Sequence, residues 1–122
     1  MWVMEKKRVK VYLAFPVNDY NDRECRQAAV RLSTELMFRH DGWQVVNPFH
    51  IYDRLKGAKL AAGRFEDPDT ESVRSACLYI LSTCDMAYFA FGWQEQPGGH
   101  AELKQCREYG VDIVLDTENV VK

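Results

Sequence analysis

Three short, largely apolar runs govern what this chain can become: Val9–Phe15, Trp43–Val46 and Met86–Phe91, with a fourth, Val111–Leu115, further on. A strand with one wet face alternates apolar and polar residues. A run that is apolar almost throughout reads instead as a strand covered on both faces, as in a parallel sheet. Helical-period segments lie between the runs. Asn21 reads as a helix cap with Glu24 as its reciprocal partner, Cys25, Ala28, Ala29, Leu32 and Leu36 form one stripe, and Gly42 ends the segment. Asp67-Pro68 reads as a second helix start, and Val73, Ala76, Cys77, Ile80, Leu81 and Cys84 recur at helical spacing. A last helix is expected from about His100 to Tyr109, stopped by Gly110. The segment from His50 to Asp67, with Arg54, Lys56, Lys59 and Arg64, reads either as a short helix or as a lid.

The order β-α-β-α-β-α-β predicts a small three-layer α/β sandwich. Its sheet is parallel, of four or five strands, because helical crossovers link parallel strands, and right-handed crossovers place helices on both faces; the expected order is 2-1-3-4. Ligands in such folds sit beyond the carboxyl ends of the strands, where the order reverses. That rule singles out the loops after Phe15, after Val46 and after Phe91.

At 122 residues the chain is the size of one domain, and 47% hydrophobic with 28% charged residues is ordinary globular composition. Sixteen basic residues against eighteen acidic ones give a net charge of −2, which argues against a nucleic-acid polymer as partner. The apolar run Met86–Phe91 is too short to span a bilayer, so no membrane partner is expected. The start, Met1-Trp2-Val3-Met4-Glu5-Lys6-Lys7-Arg8, places its charge after the apolar tip, the reverse of a secretory leader. Cys25, Cys77, Cys84 and Cys106 match no zinc or redox spacing and read as buried small hydrophobes on helix faces. The expected compartment is therefore the reducing cytoplasm.

The loops also exclude chemistries. The loop after Phe15 carries neither GxGxxG nor GxxxxGK[ST], which argues against dinucleotide and P-loop NTPase sites. Gly92-Trp93 stands where a phospho-acceptor domain needs aspartate, no GxSxG elbow is present, and His40, His50 and His100 show no ligand spacing. No metal and no cofactor is expected. The loop after Phe91 reads Gly92-Trp93-Gln94-Glu95-Gln96-Pro97-Gly98-Gly99-His100-Ala101-Glu102. Two glycines enter a helix start, where free N–H groups hold anions and the dipole favours an ionised Glu102. A charged carboxylate there suits a nucleophile or a stabiliser of a cationic sugar-like transition state, or else simple helix stabilisation. Tyr12, on the first strand, reads either as a partner orienting that carboxylate or as a core aromatic. Asn47 is a ligand contact or a turn residue, and Trp93 a pocket wall or edge-of-core packing.

Val11-Tyr12-Leu13-Ala14-x-Pro16, Trp43-x-Val45-Val46-Asn47-Pro48, Cys84-Asp85-Met86-Ala87, Gly92-Trp93 and Gly98-x-x-x-Glu102 occur in this order. Over about Lys10 to Leu115 the chain resembles the nucleoside 2-deoxyribosyltransferase-like superfamily, and within it the short branch labelled as a domain of unknown function (DUF4406). The resemblance implies a flavodoxin- or Rossmann-like fold, a nucleoside or nucleotide ligand, and cleavage or transfer at the N-glycosidic bond. Glu102 would be the nucleophile and Tyr12 would hold it. Pro16, Asn47, Trp93, Gln96, Gly98 and Gly99 would shape the sugar and base pocket, and a homo-oligomer is implied. A non-catalytic nucleotide-binding module is the alternative. The sequence departs from the branch at Gln96, where a serine is usual, and at the extra glycines and His100. Serines near this turn hold phosphate in nucleotide-acting relatives, so phosphate recognition is left open, with the basic residues of the His50–Asp67 segment as candidate replacements.

Overall fold

The computed structural model describes residues 8–116; residues 1–7, which include most of the start read above for a leader, and residues 117–122 lie outside them. Among the described residues, four strands form one sheet in the order β2-β1-β3-β4. They are β1 (Val9–Ala14), β2 (Trp43–Val46), β3 (Met86–Phe89) and β4 (Asp112–Leu115), and every pairing is parallel. The helices are α1 (Arg23–Arg39), α2 (Pro48–Ala61), α3 (Thr70–Ser82) and α4 (Pro97–Tyr109), with a short 3₁₀ turn over Trp93–Glu95 ahead of α4. This is the expected three-layer α/β sandwich, with β1 inside the sheet.

Side chains alternate across β1. Tyr12 and Ala14 enter a core with Ile51 and Tyr52 of α2, Val73, Cys77 and Leu81 of α3, and Cys106 of α4. Val11 and Leu13 enter the opposite core, with Leu36 of α1 and Tyr88 of β3. Tyr12 pairs in register with Val46 on one side and Ala87 on the other, so its phenol rises from the sheet interior on the face covered by α2, α3 and α4.

Several boundaries differ from expectation, each for a local reason. Asp22, not Asn21, caps α1: its carboxylate accepts from the N–H groups of Glu24 and Cys25. Asn21 is held instead in a turn in which its own N–H donates to Asp19 at 2.9 Å. Likewise Asp69, not Asp67, caps α3 by accepting from Ser72 N–H at 2.8 Å, and Pro68 is buried ahead of the cap. The undecided segment is an ordinary helix, α2, with Pro48 at its start. Helix α1 closes at Arg39, short of Gly42, and Cys84 lies beyond the end of α3 although it is buried as expected. Strand β3 ends at Phe89, and Phe91 is exposed. Helix α4 begins at Pro97, three residues earlier than read.

A carboxylate cap satisfies helix N–H groups that would otherwise lack partners. Asp22→Ala is therefore expected to lower the unfolding free energy by roughly 0.5–2 kcal/mol in urea titrations. Asn21→Ala should lower it by less than half as much, and equal losses would return the cap to Asn21.

Candidate functional site

Strand order places a crevice where the connections diverge. From β1 the chain crosses to β2 on one side, and from β3 it crosses to β4 on the other. The crevice opens beyond the carboxyl ends of those strands and has a volume of about 310 Å³. That is at the small end of the roughly 300–1,000 Å³ typical of small-molecule sites. Its walls come from the three loops singled out by the strand order: Phe15 and Val17–Asn21 after β1, Pro48 after β2, and Gln96–Gly99 after β3. Tyr52 of α2, Arg74 and Cys77 of α3, Glu102 of α4, and Asp67 and Pro68 ahead of α3 also contribute to the lining.

The structure brings Tyr12 and Glu102 together. Tyr12 is fully buried, and its hydroxyl donates to Glu102 Oε2 at 2.5 Å across ninety residues of sequence. Glu102 Oε1 has no hydrogen bond among the described residues. Because α4 starts at Pro97, Glu102 lies in its second turn rather than its first, where the dipole is weaker. The expected ionised carboxylate is corrected accordingly. Burial pushes the Glu102 carboxyl up to about 7 from its ordinary 4.5, while the Tyr12 hydrogen bond and the Arg74 charge hold it down. Close to neutrality it is thus poised between acid and carboxylate. The Tyr12 hydroxyl is pushed well above its ordinary value, by burial first and by Glu102 second, so it stays protonated and donates. Burial raises the Cys77 thiol to about 11, against hydrogen bonding with Tyr12 and Tyr20. Cys77 is therefore a neutral lining group, not a nucleophile.

Gln96, Gly98 and Gly99 line the crevice, and Gln96 Nε2 donates to Asn18 Oδ1 at 2.7 Å, tying the loop after β3 to the loop after β1. Gly99 has a packing reason to be glycine: a Cβ there would stand 2.2 Å from the Trp93 carbonyl oxygen. Trp93 does not line the crevice. It packs edge-on against Phe89 at 5.1 Å between ring centroids and lies 5.6 Å from His100, backing the glycine turn. Asn47 does not line it either. It is buried, and its Oδ1 caps α2 by accepting from Phe49 N–H at 2.9 Å. Pro16 stands beside the crevice, its ring against Gly92 and its carbonyl accepting from the Cys25 thiol.

The sequence reading missed the aromatic wall. Tyr20 stacks on Tyr52 with centroids 5.1 Å apart and rings within 1° of parallel, and both line the crevice. Tyr20 follows β1, so the loop rule contained it. Tyr52 and Arg74 sit on helix faces that sequence alone does not orient. No three His, Cys, Asp or Glu side chains gather as a metal-binding group among the described residues. No helix there is long and apolar enough to cross a membrane. No known family model, curated protein or solved structure matches the chain.

Two outcomes follow from this geometry. Gly99→Ala should destabilise the fold by roughly 1–3 kcal/mol, because the new methyl meets backbone rather than a flexible side chain. A carboxyl raised in the folded state favours folding while protonated, and that stability is lost as pH climbs from 4.5 through about 7. Glu102→Gln, a neutral stand-in, should therefore match the wild type in acid and exceed it at pH above ~8 by on the order of 1–3 kcal/mol. Identical unfolding curves at high pH would contradict the burial of this carboxylate.

Proposed function

We propose that the crevice binds a nucleoside or nucleotide and cleaves or transfers its N-glycosidic bond, with Glu102 as nucleophile and Tyr12 as its positioning residue. The observation that carries this reading is the 2.5 Å bond from a fully buried phenol to a carboxylate that lines an open crevice. The bond fixes Oε2 and leaves Oε1 for the substrate. Ionised Glu102 attacks the anomeric carbon, the C–N bond breaks, and its electron pair leaves with the base, which takes up a proton from water. Water or a second base then attacks the same carbon and releases Glu102. The stacked Tyr20–Tyr52 wall offers an aromatic face for a planar base. The likeness in motif order supports the same reading. The four cysteines are free thiols, which suits a reducing cytoplasmic compartment.

Base release from a panel of nucleosides and their 5′-monophosphates, followed by chromatography, tests the proposal. Glu102→Ala should abolish release. Turnover should rise with pH through a midpoint near 7, since the attacking form is the carboxylate. The Tyr12 hydrogen bond favours the charged form, so Tyr12→Phe should move that midpoint upward as well as slow the reaction. No base from any substrate, with binding that survives Glu102→Gln, would assign the crevice to a non-catalytic nucleotide-binding module.

A further inference from the structure

Four charged side chains line the crevice: Asp19, Asp67, Arg74 and Glu102. Three of them have partners within the protein. Asp67 pairs with Lys56 at 3.2 Å, and Asp19 accepts from the Asn21 N–H at 2.9 Å. Glu102 accepts from Tyr12. Arg74 is exposed on α3 and makes no hydrogen bond or ion pair among the described residues. It is nevertheless near enough to Glu102 for its charge to hold that carboxyl down.

The other basic side chains nearby are turned to other tasks. Lys59 pairs with Glu66 at 3.6 Å and Arg64 with Glu66 at 2.8 Å, and neither lines the crevice. Lys56 is held by Asp67, and Arg54 does not line the crevice. Arg26 is bidentate to Asp53, at 2.7 and 2.9 Å. The basic residues of the 50–67 segment, read from sequence as candidate phosphate ligands, are thus engaged or face elsewhere. A guanidinium offers five donors in a planar fork that matches phosphate oxygens. The first turn of α4 adds positive potential in the same crevice, since no side chain caps its N-terminus and Gly98 and Gly99 line the cavity.

We propose that Arg74 is the specificity residue of this crevice, taking the phosphate monoester of a nucleotide and so selecting nucleotides over nucleosides. The proposal rests on the nucleoside-or-nucleotide reading above and adds the group that distinguishes the two. Carrying Glu102→Gln throughout prevents turnover and removes any role Arg74 plays through that carboxylate. Affinities of this protein for four 2′-deoxynucleosides, their 5′-monophosphates and inorganic phosphate are then measured by calorimetry at low and moderate salt. The monophosphates should bind at least about tenfold tighter than the matched nucleosides, with the gap shrinking as salt rises. Adding Arg74→Gln, at an exposed position, should erase the gap while leaving nucleoside affinity within about twofold. Inorganic phosphate should compete only while Arg74 is present. Equal binding of nucleosides and nucleotides, or a gap that survives Arg74→Gln, overturns the assignment while leaving the glycosidic reading standing. If nothing in the panel binds, both fall together.

Discussion

The geometry of the crevice depends on a partly buried carboxyl held by a single phenol. The Tyr12–Glu102 bond joins the interior strand β1 to the last helix, α4, and so ties the sheet to one wall of the crevice. Two influences compete at Glu102. The helix dipole favours the charged form by about 0.3–1 kcal/mol near the first turn and fades beyond it. Desolvation opposes charge and can displace a fully buried group by several pKa units. With Glu102 one turn further into α4, desolvation is the larger effect, and the acid sits near neutrality rather than fully ionised. A carboxyl so poised is suited to chemistry at physiological pH, where a fully solvated one would be a weaker base.

The sheet supplies that phenol for reasons visible in the residues. Tyr12 stands between Val46 and Ala87 in register, on a strand with neighbours on both sides, so its backbone is fixed by two ladders. Its alternation partners, Val11 and Leu13, go to the opposite core under α1. A shift of one residue would exchange these faces and take the hydroxyl away from α4. The apolar matching that sets the register therefore also sets the geometry of the site.

This dependence explains what was legible from sequence. The apolar runs specify buried parallel strands, and their alternation with helical segments leads to the three-layer sandwich and to the crevice-bordering loops. Helix α2 was not legible because its buried residues, Pro48, Phe49, Ile51 and Tyr52, crowd into its opening turns and leave no long apolar stripe. The caps of α1 and α3 slipped because Asn21, Asp22, Asp67 and Asp69 are all capable cap residues, and only the surrounding turns choose among them. Tyr12 and Glu102 were legible because the loop rule led to the helix start that carries Glu102 and the first strand placed Tyr12 within reach of the same crevice. Trp93 and Asn47 were placed in the pocket on their positions after the strands and on the resemblance, whereas the turn at Gly99 and the start of α2 already engage them. Arg74 escaped notice because a polar residue beside an apolar stripe looks the same whether it meets solvent or a ligand.

The charge pattern around the crevice follows one logic. Groups needed for architecture are neutralised locally: Lys56 with Asp67, Arg26 with Asp53, Arg64 with Glu66. Such exposed pairs contribute little stability, about 0–1 kcal/mol each, but they remove formal charges from competition for a ligand. Among the described side chains lining the crevice, Arg74 is the one cation, beside a carboxyl that burial discourages from ionising. An anion entering the crevice would meet the guanidinium while Glu102 still carries a proton part of the time. On the proposed reading, the same burial that raises the Glu102 carboxyl would also limit its repulsion of an anionic ligand.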